Sequence, residues 1–358
     1  MNIEKLIHLF QNTHNELQSR AVRSVDSSLV VRNWLFGWYI VEFEQNGEDR
    51  AEYGKKLLKT LSDKLIKTNI KGVSETRLKL YRSFYLSYSK IGPTVSDKLI
   101  RITEAIILNP VNIENIAENF QLGWSHYVAL LTINSLEERS FYEIESIENS
   151  WSVRELERQI NSSLYERLAL SKNKEKVKEL SKKGQIVEKP QDVIKNPFVL
   201  EFINLPEHPH YSEHQLETAI IDKLEQFLLE LGKGFLFEAR QKRFTFDNDH
   251  FYVDLVFYNR LLKSYVIIDL KRDKLVHHDL GQMQMYVNYF DRFVKLDDEN
   301  PTIGIVLCHR KNDAVVELTL PENSNIYASQ YQLYLPSKEE LKKQIEEAER
   351  EFSEVKKS

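Results

Sequence analysis

A single cysteine, Cys308, occurs in the chain. That excludes an intrachain disulfide framework and an all-cysteine zinc cluster, and it fits a reducing compartment. No run of 18 or more apolar residues is present, and the N-terminus lacks a basic segment followed by an apolar stretch and a small-residue cleavage site. No membrane span or secretory signal is expected, and the cytoplasm is the expected location. No P-loop appears, so built-in ATP-driven translocation is not expected. A large charge of one sign is missing too: 49 basic and 54 acidic side chains leave a net charge of −5. A phosphate-binding surface must therefore come from local clustering. What is there, 42% hydrophobic and 29% charged residues over 358 positions, suits a globular protein of more than one domain.

The first 168 residues read as helices. Val30, Val31, Trp34, Leu35, Trp38, Ile40 and Val41 recur at helical intervals, as do Tyr53, Leu57, Leu58, Leu61, Leu65 and Ile66, and these two stripes are expected to face each other. After a break at Asn69 to Gly72, Leu78, Tyr81, Phe84 and Tyr85 mark another helix with Ser74 as its N-cap. Arg77, Lys79 and Arg82 decorate it, making them candidate nucleic-acid contacts, with a solvated face as the competing reading. Trp124, Tyr127, Leu130 and Leu131 suggest a further helix, and Val153 to Leu168 reads as one continuous helix with apolar residues four apart.

Residues 169–190 lose the apolar pattern. Between Ser171 and Pro190 seven lysines outnumber three glutamates, which reads as a linker. In the second half Leu216, Ile220, Leu224, Phe227, Leu228 and Leu231 specify a helix ended by Gly232 and Gly234. Strands follow at Phe235 to Phe246, Phe251 to Tyr258, Ser264 to Leu270 and Ile303 to Cys308, with a helix over Leu280 to Phe290. This order predicts an α/β domain over 191–336. Residues 337–358 carry seven acidic and six basic side chains and read as a charged tail.

The chemistry concentrates in the strands. Asp254 interrupts an otherwise apolar run, Phe251 to Tyr258, and a carboxylate in a buried strand needs a counter-charge, hydrogen bonds or a metal. In Ile268-Asp269-Leu270-Lys271, period two puts Asp269 and Lys271 on one face. If the two strands form a hairpin across Asn259 to Lys263, Asp254 approaches Asp269 across the ladder. Two such carboxylates offer oxygen ligands to Mg²⁺ or Mn²⁺, and the lysine can orient or help deprotonate water or offset phosphate charge. The bland alternative is a structural salt bridge. Glu217, toward the apolar side of its helix, is a candidate third metal ligand. Gln282 and Tyr286, four apart on the later helix, are expected to line the same cleft, and Tyr286 is also a candidate nucleic-acid contact. Arg240, Lys242, Arg243, Arg272 and Lys274 flank the acids as candidate phosphate contacts. His277 and His278 lack a well-spaced ligand set and read as surface groups; Cys308 reads as a buried strand residue.

At these residues the C-terminal half resembles the PD-(D/E)xK nucleases, and the chain as a whole resembles the YhcG, or DUF1016, family of nucleases over roughly residues 15 to 335. The segments that carry the resemblance are Gly72-Val73-Ser74 with Phe84-Tyr85, Trp151 to Ile160, Tyr252 to Tyr258, Asp269-Leu270-Lys271 and Gly281-Gln282. It implies an α/β C-terminal restriction-endonuclease-like core, a central mixed β-sheet flanked by helices, behind a mainly α-helical N-terminal domain for DNA binding or dimerisation. Within it Glu217 matches the helix carboxylate, Asp254 the acid of the PD element, Asp269 and Lys271 the (D/E)xK element, and Gln282 the glutamine of the following helix. Val253 stands where the motif has proline, and Asp269 keeps the carboxylate on a shorter arm. The resemblance further implies metal-dependent cleavage of DNA in restriction or mobile-element defence, with a homodimer and a restriction-system protein as partners. The residues themselves do not separate DNA from RNA. A non-enzymatic DNA-binding or assembly subunit with an inactive nuclease-like domain is the alternative.

Overall fold

A computed structural model of the chain describes residues 3–20, 25–46, 56–89, 116–170, 174–206, 211–321, 323–335, 337 and 341. Most of the expected charged tail, 337–358, and Tyr53 of the second apolar stripe thus lie outside the described residues. Contacts divide the chain after Leu156 into two units, ahead of the boundary expected from composition near residue 168.

The N-terminal unit is helical. Its helices are α1 (Ile3–Arg20), α2 (Val25–Asn46), α3 (Leu57–Lys67), α4 (Glu75–Ser87), α5 (Trp124–Leu130) and α6 (Leu136–Glu148), and α7 (Val153–Asn161) crosses the division. The expectation that the α2 and α3 stripes face each other is corrected: α2 packs chiefly along α4 and α1. Gly37 explains how closely, because a Cβ there would lie 2.1 Å from the backbone oxygen of Tyr81. The turn before α4 uses left-handed backbone at Asn69 and Gly72, φ 66° and 81°. Ser74 caps α4 as expected, its Oγ accepting from Arg77 N at 3.4 Å. Trp34, Phe84, Phe120, Trp124 and Tyr127 meet ring to ring and form an aromatic core.

The expected single helix over Val153 to Leu168 is two, because Ser163 takes φ +53° between α7 and α8 (Leu164–Leu170). The lysine-rich stretch contains helix α9 (Lys174–Lys183) with Leu180 buried, so it is not a featureless connector. The helix around Glu217 is likewise divided, into α10 (Glu213–Asp222) and α11 (Leu224–Leu231), at Lys223.

Strands β1 (Phe198–Val199), β2 (Phe235–Phe246), β3 (Asp249–Asn259), β4 (Ser264–Lys274), β5 (Ile303–Arg310) and β6 (Ile326–Gln332) form one mixed sheet in the order β1-β6-β5-β4-β3-β2. The pairs β2–β3 and β3–β4 are antiparallel, and β4–β5, β5–β6 and β1–β6 are parallel. Apolar side chains cover both faces. One layer joins Leu216, Ile220 and Phe227 of α10 and α11 to Leu255, Ile268 and Leu270. The other joins Met283, Tyr286 and Phe290 of α12 (His277–Phe293) to Val256, Ile267 and Val306. A short helix α13 (Asp313–Thr319) follows β5.

A buried ion network ties residues 157–170 to this unit. Arg167 and Glu230, both 0% exposed, meet at 2.5 Å, and Arg158 reaches Glu230 at 3.3 Å and Glu201 at 3.0 Å. Burial pushes the Glu230 carboxyl up, but Arg167, Lys195 and Arg158 outweigh it and hold it at about 2. Val199 N donates to Glu230 at 3.0 Å, fixing edge strand β1. Among the described residues no helix is long and apolar enough to cross a membrane.

Candidate active site

The site forms where β3 parts from β4. Pairing runs from Asn259 opposite Ser264 to Leu255 opposite Ile268 and stops there. The next residue is Asp254, and its side chain replaces the ladder: Oδ2 accepts from Leu270 N at 2.8 Å. Alternation also breaks at this point. Val253 packs in the α12 layer with Phe244, whereas Leu255, two residues on, packs in the opposite layer. Across the hairpin, Gln241 lies between the pairs Arg240–Leu255 and Lys242–Val253 and has φ +47°. A non-glycine residue held in left-handed backbone within a strand costs about 1–3 kcal/mol and must be sustained by its contacts.

Those contacts are two carboxylates. Gln241 Nε2 donates to Asp254 Oδ1 at 2.9 Å and to Glu217 Oε2 at 2.6 Å. Glu217 also accepts from Arg240 Nε, and Arg240 Nη2 donates to Thr218 at 2.9 Å. Glu217 is therefore buried, and both its oxygens are engaged. Ser212 starts its helix with a reciprocal cap: Oγ accepts from Gln215 N at 3.1 Å, and the Gln215 side chain accepts from Ser212 N at 2.7 Å.

Asp269, 2% exposed, stands with Lys271 on one face as period two requires, Lys271 Nζ lying 2.8 Å from its Oδ2. That ammonium is the counter-ion of Oδ2, a buried oxygen for which no further hydrogen-bond donor is found among the described residues. Burial, and then the charge of Asp269, push the Asp254 carboxyl up to about 7. Burial also raises Asp269, against the pull of Lys271. Burial draws the Lys271 ammonium down, but Asp269 outweighs it and holds the group up at about 12. At neutral pH Lys271 is a cation that donates hydrogen bonds and does not accept a proton.

The structure thus brings Asp254, Asp269 and Lys271 together and links Glu217 to them through Gln241. Among the described residues no set of three or more His, Cys, Asp and Glu side chains gathers as a metal-ligand cluster. The expected convergence of three carboxylates is corrected to a pair with a neighbour one amide away. The pair suits a cation. A buried carboxylate met by a single ammonium, next to a second carboxyl that burial and its neighbour make hard to ionise, is a donor set a hard divalent ion satisfies.

Gln282 donates through Nε2 to the hydroxyl of Tyr286, and the charges of Asp269, Asp254 and Lys271 all act on Tyr286. Tyr286 is 1% exposed and packs edge-on to Phe244, so it is a wall of the site with no surface to offer nucleic acid. The expected basic contacts are largely engaged. Arg240 is held by Glu217, Lys242 pairs with Glu238, and Arg272 lies 3.0 Å from Asp273. Arg243 donates to exposed His250 at 2.8 Å, and Lys274 is exposed. In the helical unit Arg82 pairs with Glu44 at 2.7 Å and Lys79 with Glu75 at 2.7 Å, while Arg77 is exposed and has no acidic partner among the described residues. His277 and His278 are exposed. Cys308 is buried, its Sγ 3.6 Å from Ser329 O, and burial pushes its thiol up to about 11.

Sequence reasoning passed over Gln241, Asp279 and Glu213. The charges of Glu213 and Asp279 both act on Asp269 and Lys271, and Asp279 also accepts from Val276 N at 2.9 Å at the start of α12. Asp279 carried a weak signal, an acid two residues into a helix that follows the Asp269 strand. Gln241 carried none, because its role depends on a backbone conformation that a strand pattern does not encode.

Residues 191–346 match the model of the YhcG PDDEXK nuclease domain, and residues 10–167 match that of the DUF1016 N-terminal domain. The chain belongs to the YhcG family. It is 39% identical over 345 residues to "Putative nuclease YhcG" of Escherichia coli (strain K12), covering 94% of this chain and 90% of that one. Two solved structures, of a repair endonuclease from Pyrococcus abyssi and of EndoMS in its apo form, align over 37% of this chain and 50% and 49% of theirs, each at 17% identity and a TM-score of 0.24. At that score they carry no weight for function. The C-terminal unit of this YhcG-family chain has the restriction-endonuclease-like core, a mixed six-stranded sheet flanked by helices, and a helical unit precedes it in the sequence.

Proposed function

We propose that the chain is a divalent-metal-dependent nuclease that hydrolyses phosphodiester bonds in DNA, in the restriction or mobile-element-defence setting the family resemblance implies. The observation that carries this reading is the meeting of Asp254, Asp269 and Lys271 where β3 leaves β4. Asp254 and Asp269 would hold Mg²⁺ or Mn²⁺, which supplies Lewis acidity toward the phosphate and lowers the pKa of bound water. Lys271, protonated near neutrality, orients the attacking water and offsets charge that builds on the phosphate oxygens. Gln241 fixes Asp254 against Glu217 by donating to both. Gln282 and Tyr286 line the α12 side.

The test is cleavage by the purified full chain of supercoiled, linear and branched DNA, with RNA as the competing substrate, in Mg²⁺ or Mn²⁺, beside Asp254→Ala and Lys271→Ala. Metal-dependent cleavage that survives both substitutions unchanged would defeat the catalytic assignment. Binding without scission under every condition would favour the non-enzymatic subunit. A homodimer would set two nicking centres on opposite strands. Sedimentation checks it, and a monomer making uncoordinated single-strand cuts opposes it.

A further inference from the structure

The helical unit gathers positive charge in a place where no acid among the described residues meets it. Arg32, half-buried on α2, spends Nε and Nη2 on a neutral oxygen, Asn33 Oδ1, at 3.2 and 2.9 Å. Arg77 approaches from the first turn of α4, where the helix field already favours negative charge. The two guanidinium groups face one another over Gly72: a Cβ on that residue would lie 2.9 Å from Arg77 Nη1 and 3.7 Å from both Arg32 Nη2 and Tyr81 Oη. Those groups occupy the space above Gly72, which a side chain there would take from them, and its φ of +81° is backbone that a side chain disfavours. Neither arginine has an ion pair with a described acid, and the nearby Glu75 is taken by Lys79.

Buried polar atoms also lie close to Arg32. Asn33 is 0% exposed, and its Nδ2 has no hydrogen-bond partner. His14 Nδ1 is also buried without a partner, and Arg32 is close enough to disfavour a charge on that ring. Burial lowers the Arg32 guanidinium, with Arg77 adding to the effect against the favourable pull of Tyr81. Two like charges this close, with no described acid between them, are costly until an anion enters.

We propose that Arg32 and Arg77, above Gly72, bind the oxygens of a phosphate group. Planar guanidinium forks match phosphate oxygens in pairs, which lysines at these positions would not reproduce. A backbone phosphate of nucleic acid is the source that would serve a nuclease, and that choice of source rests on the reading above. The phosphate site itself does not.

All four tryptophans, Trp34, Trp38, Trp124 and Trp151, precede residue 157, so tryptophan fluorescence reports the unfolding of this unit in the full chain. Inorganic phosphate is expected to raise its melting temperature above that in chloride of equal ionic strength. Arg77→Gln is expected to melt at or above the wild-type temperature in chloride, because a like charge is removed, and to lose most of the phosphate response. Arg77→Lys, which keeps the charge without the fork, is expected to retain only part of it. The source is read by binding of labelled duplex DNA in EDTA, without cleavage. A backbone site makes the dependence of affinity on salt shallower by about one in log–log slope for Arg77→Gln. Unchanged DNA binding with a lost phosphate response identifies a free phosphate or phosphomonoester as the ligand. Equal stabilisation of wild type and Arg77→Gln by phosphate, or none beyond chloride, overturns the proposal whatever the nuclease assay shows.

Discussion

Asp254→Asn should stabilise the metal-free protein at alkaline pH while removing its activity. The carboxyl is held near 7 in the folded chain against an ordinary 3.8, so ionising it in place costs about 4 kcal/mol more than in the unfolded chain. The direction follows from the raised value. This group's contribution to folding is whole below about pH 4, where both states are protonated, and it is lost as pH climbs through 7. The amide is neutral throughout. It can still accept from Leu270 N, as Asp254 does at 2.8 Å, but it cannot accept from Gln241 without turning a donor toward Leu270. One hydrogen bond is thus given up, about 1 kcal/mol. The variant should then be less stable than wild type by about 1 kcal/mol only below about pH 4, close to wild type at pH 5, and more stable by about 3 kcal/mol at pH 8. The assay is urea unfolding in EDTA at pH 5 and pH 8, followed by far-ultraviolet circular dichroism because the C-terminal unit has no tryptophan. Added Mn²⁺ should raise wild-type stability at pH 8 and leave the variant unmoved. A difference between variant and wild type that is the same at pH 8 as at pH 5 would refute the reasoning, since Asp254 would then be a contented carboxylate with no need of a cation.

Other substitutions probe the supports. Glu230→Gln strips the charge from a group that Arg167 meets at 2.5 Å in a fully buried setting and should cost about 3–5 kcal/mol; urea midpoints test it, and a loss under 1 kcal/mol would show that Arg158 and Glu201 suffice. Gly37→Ala puts a methyl 2.1 Å from Tyr81 O, so α2 and α4 must separate, and tryptophan-detected melting should fall by the equivalent of at least about 1–3 kcal/mol. Gln241→Leu keeps the side chain's bulk but takes away the one donor that Glu217 Oε2 and Asp254 Oδ1 share. Its kcat should fall about 10- to 100-fold, as for other groups that orient a metal's ligands, whereas an unchanged pH–rate profile and kcat would reduce Gln241 to packing.

The pattern of apolar residues was enough to read most of the nuclease unit because its central strands are buried on both faces. Runs such as Val266-Ile267-Ile268 and Ile303 to Cys308 have no other reading at that length. Strand β6, Ile326–Gln332, escaped because Ser329 and two glutamines interrupt it. Its partners on both sides, β1 and β5, hold it as a strand, and a linear sequence does not show partners. The helix breaks at Ser163 and Lys223 were hidden for a related reason, since apolar spacing continues across both while the backbone changes direction.

The candidate site divides along the same line. Asp269 and Lys271 are legible together because strand geometry fixes residues two apart on one face. Asp254 is legible as a charge in an apolar run. How the charges are compensated is not, because that depends on where β3 leaves β4 and on a glutamine held in left-handed backbone. That departure is what makes the site: had pairing continued past Leu255, Leu270 N would have lost its side-chain acceptor and Asp254 its reason to point at Asp269. A carboxylate takes the place of a backbone carbonyl at the end of the ladder, so the sheet ends in an excess of negative charge beside one lysine. The raised carboxyls of Asp254 and Asp269, the latter despite its lysine, are two measures of that excess, and a divalent cation would relieve both.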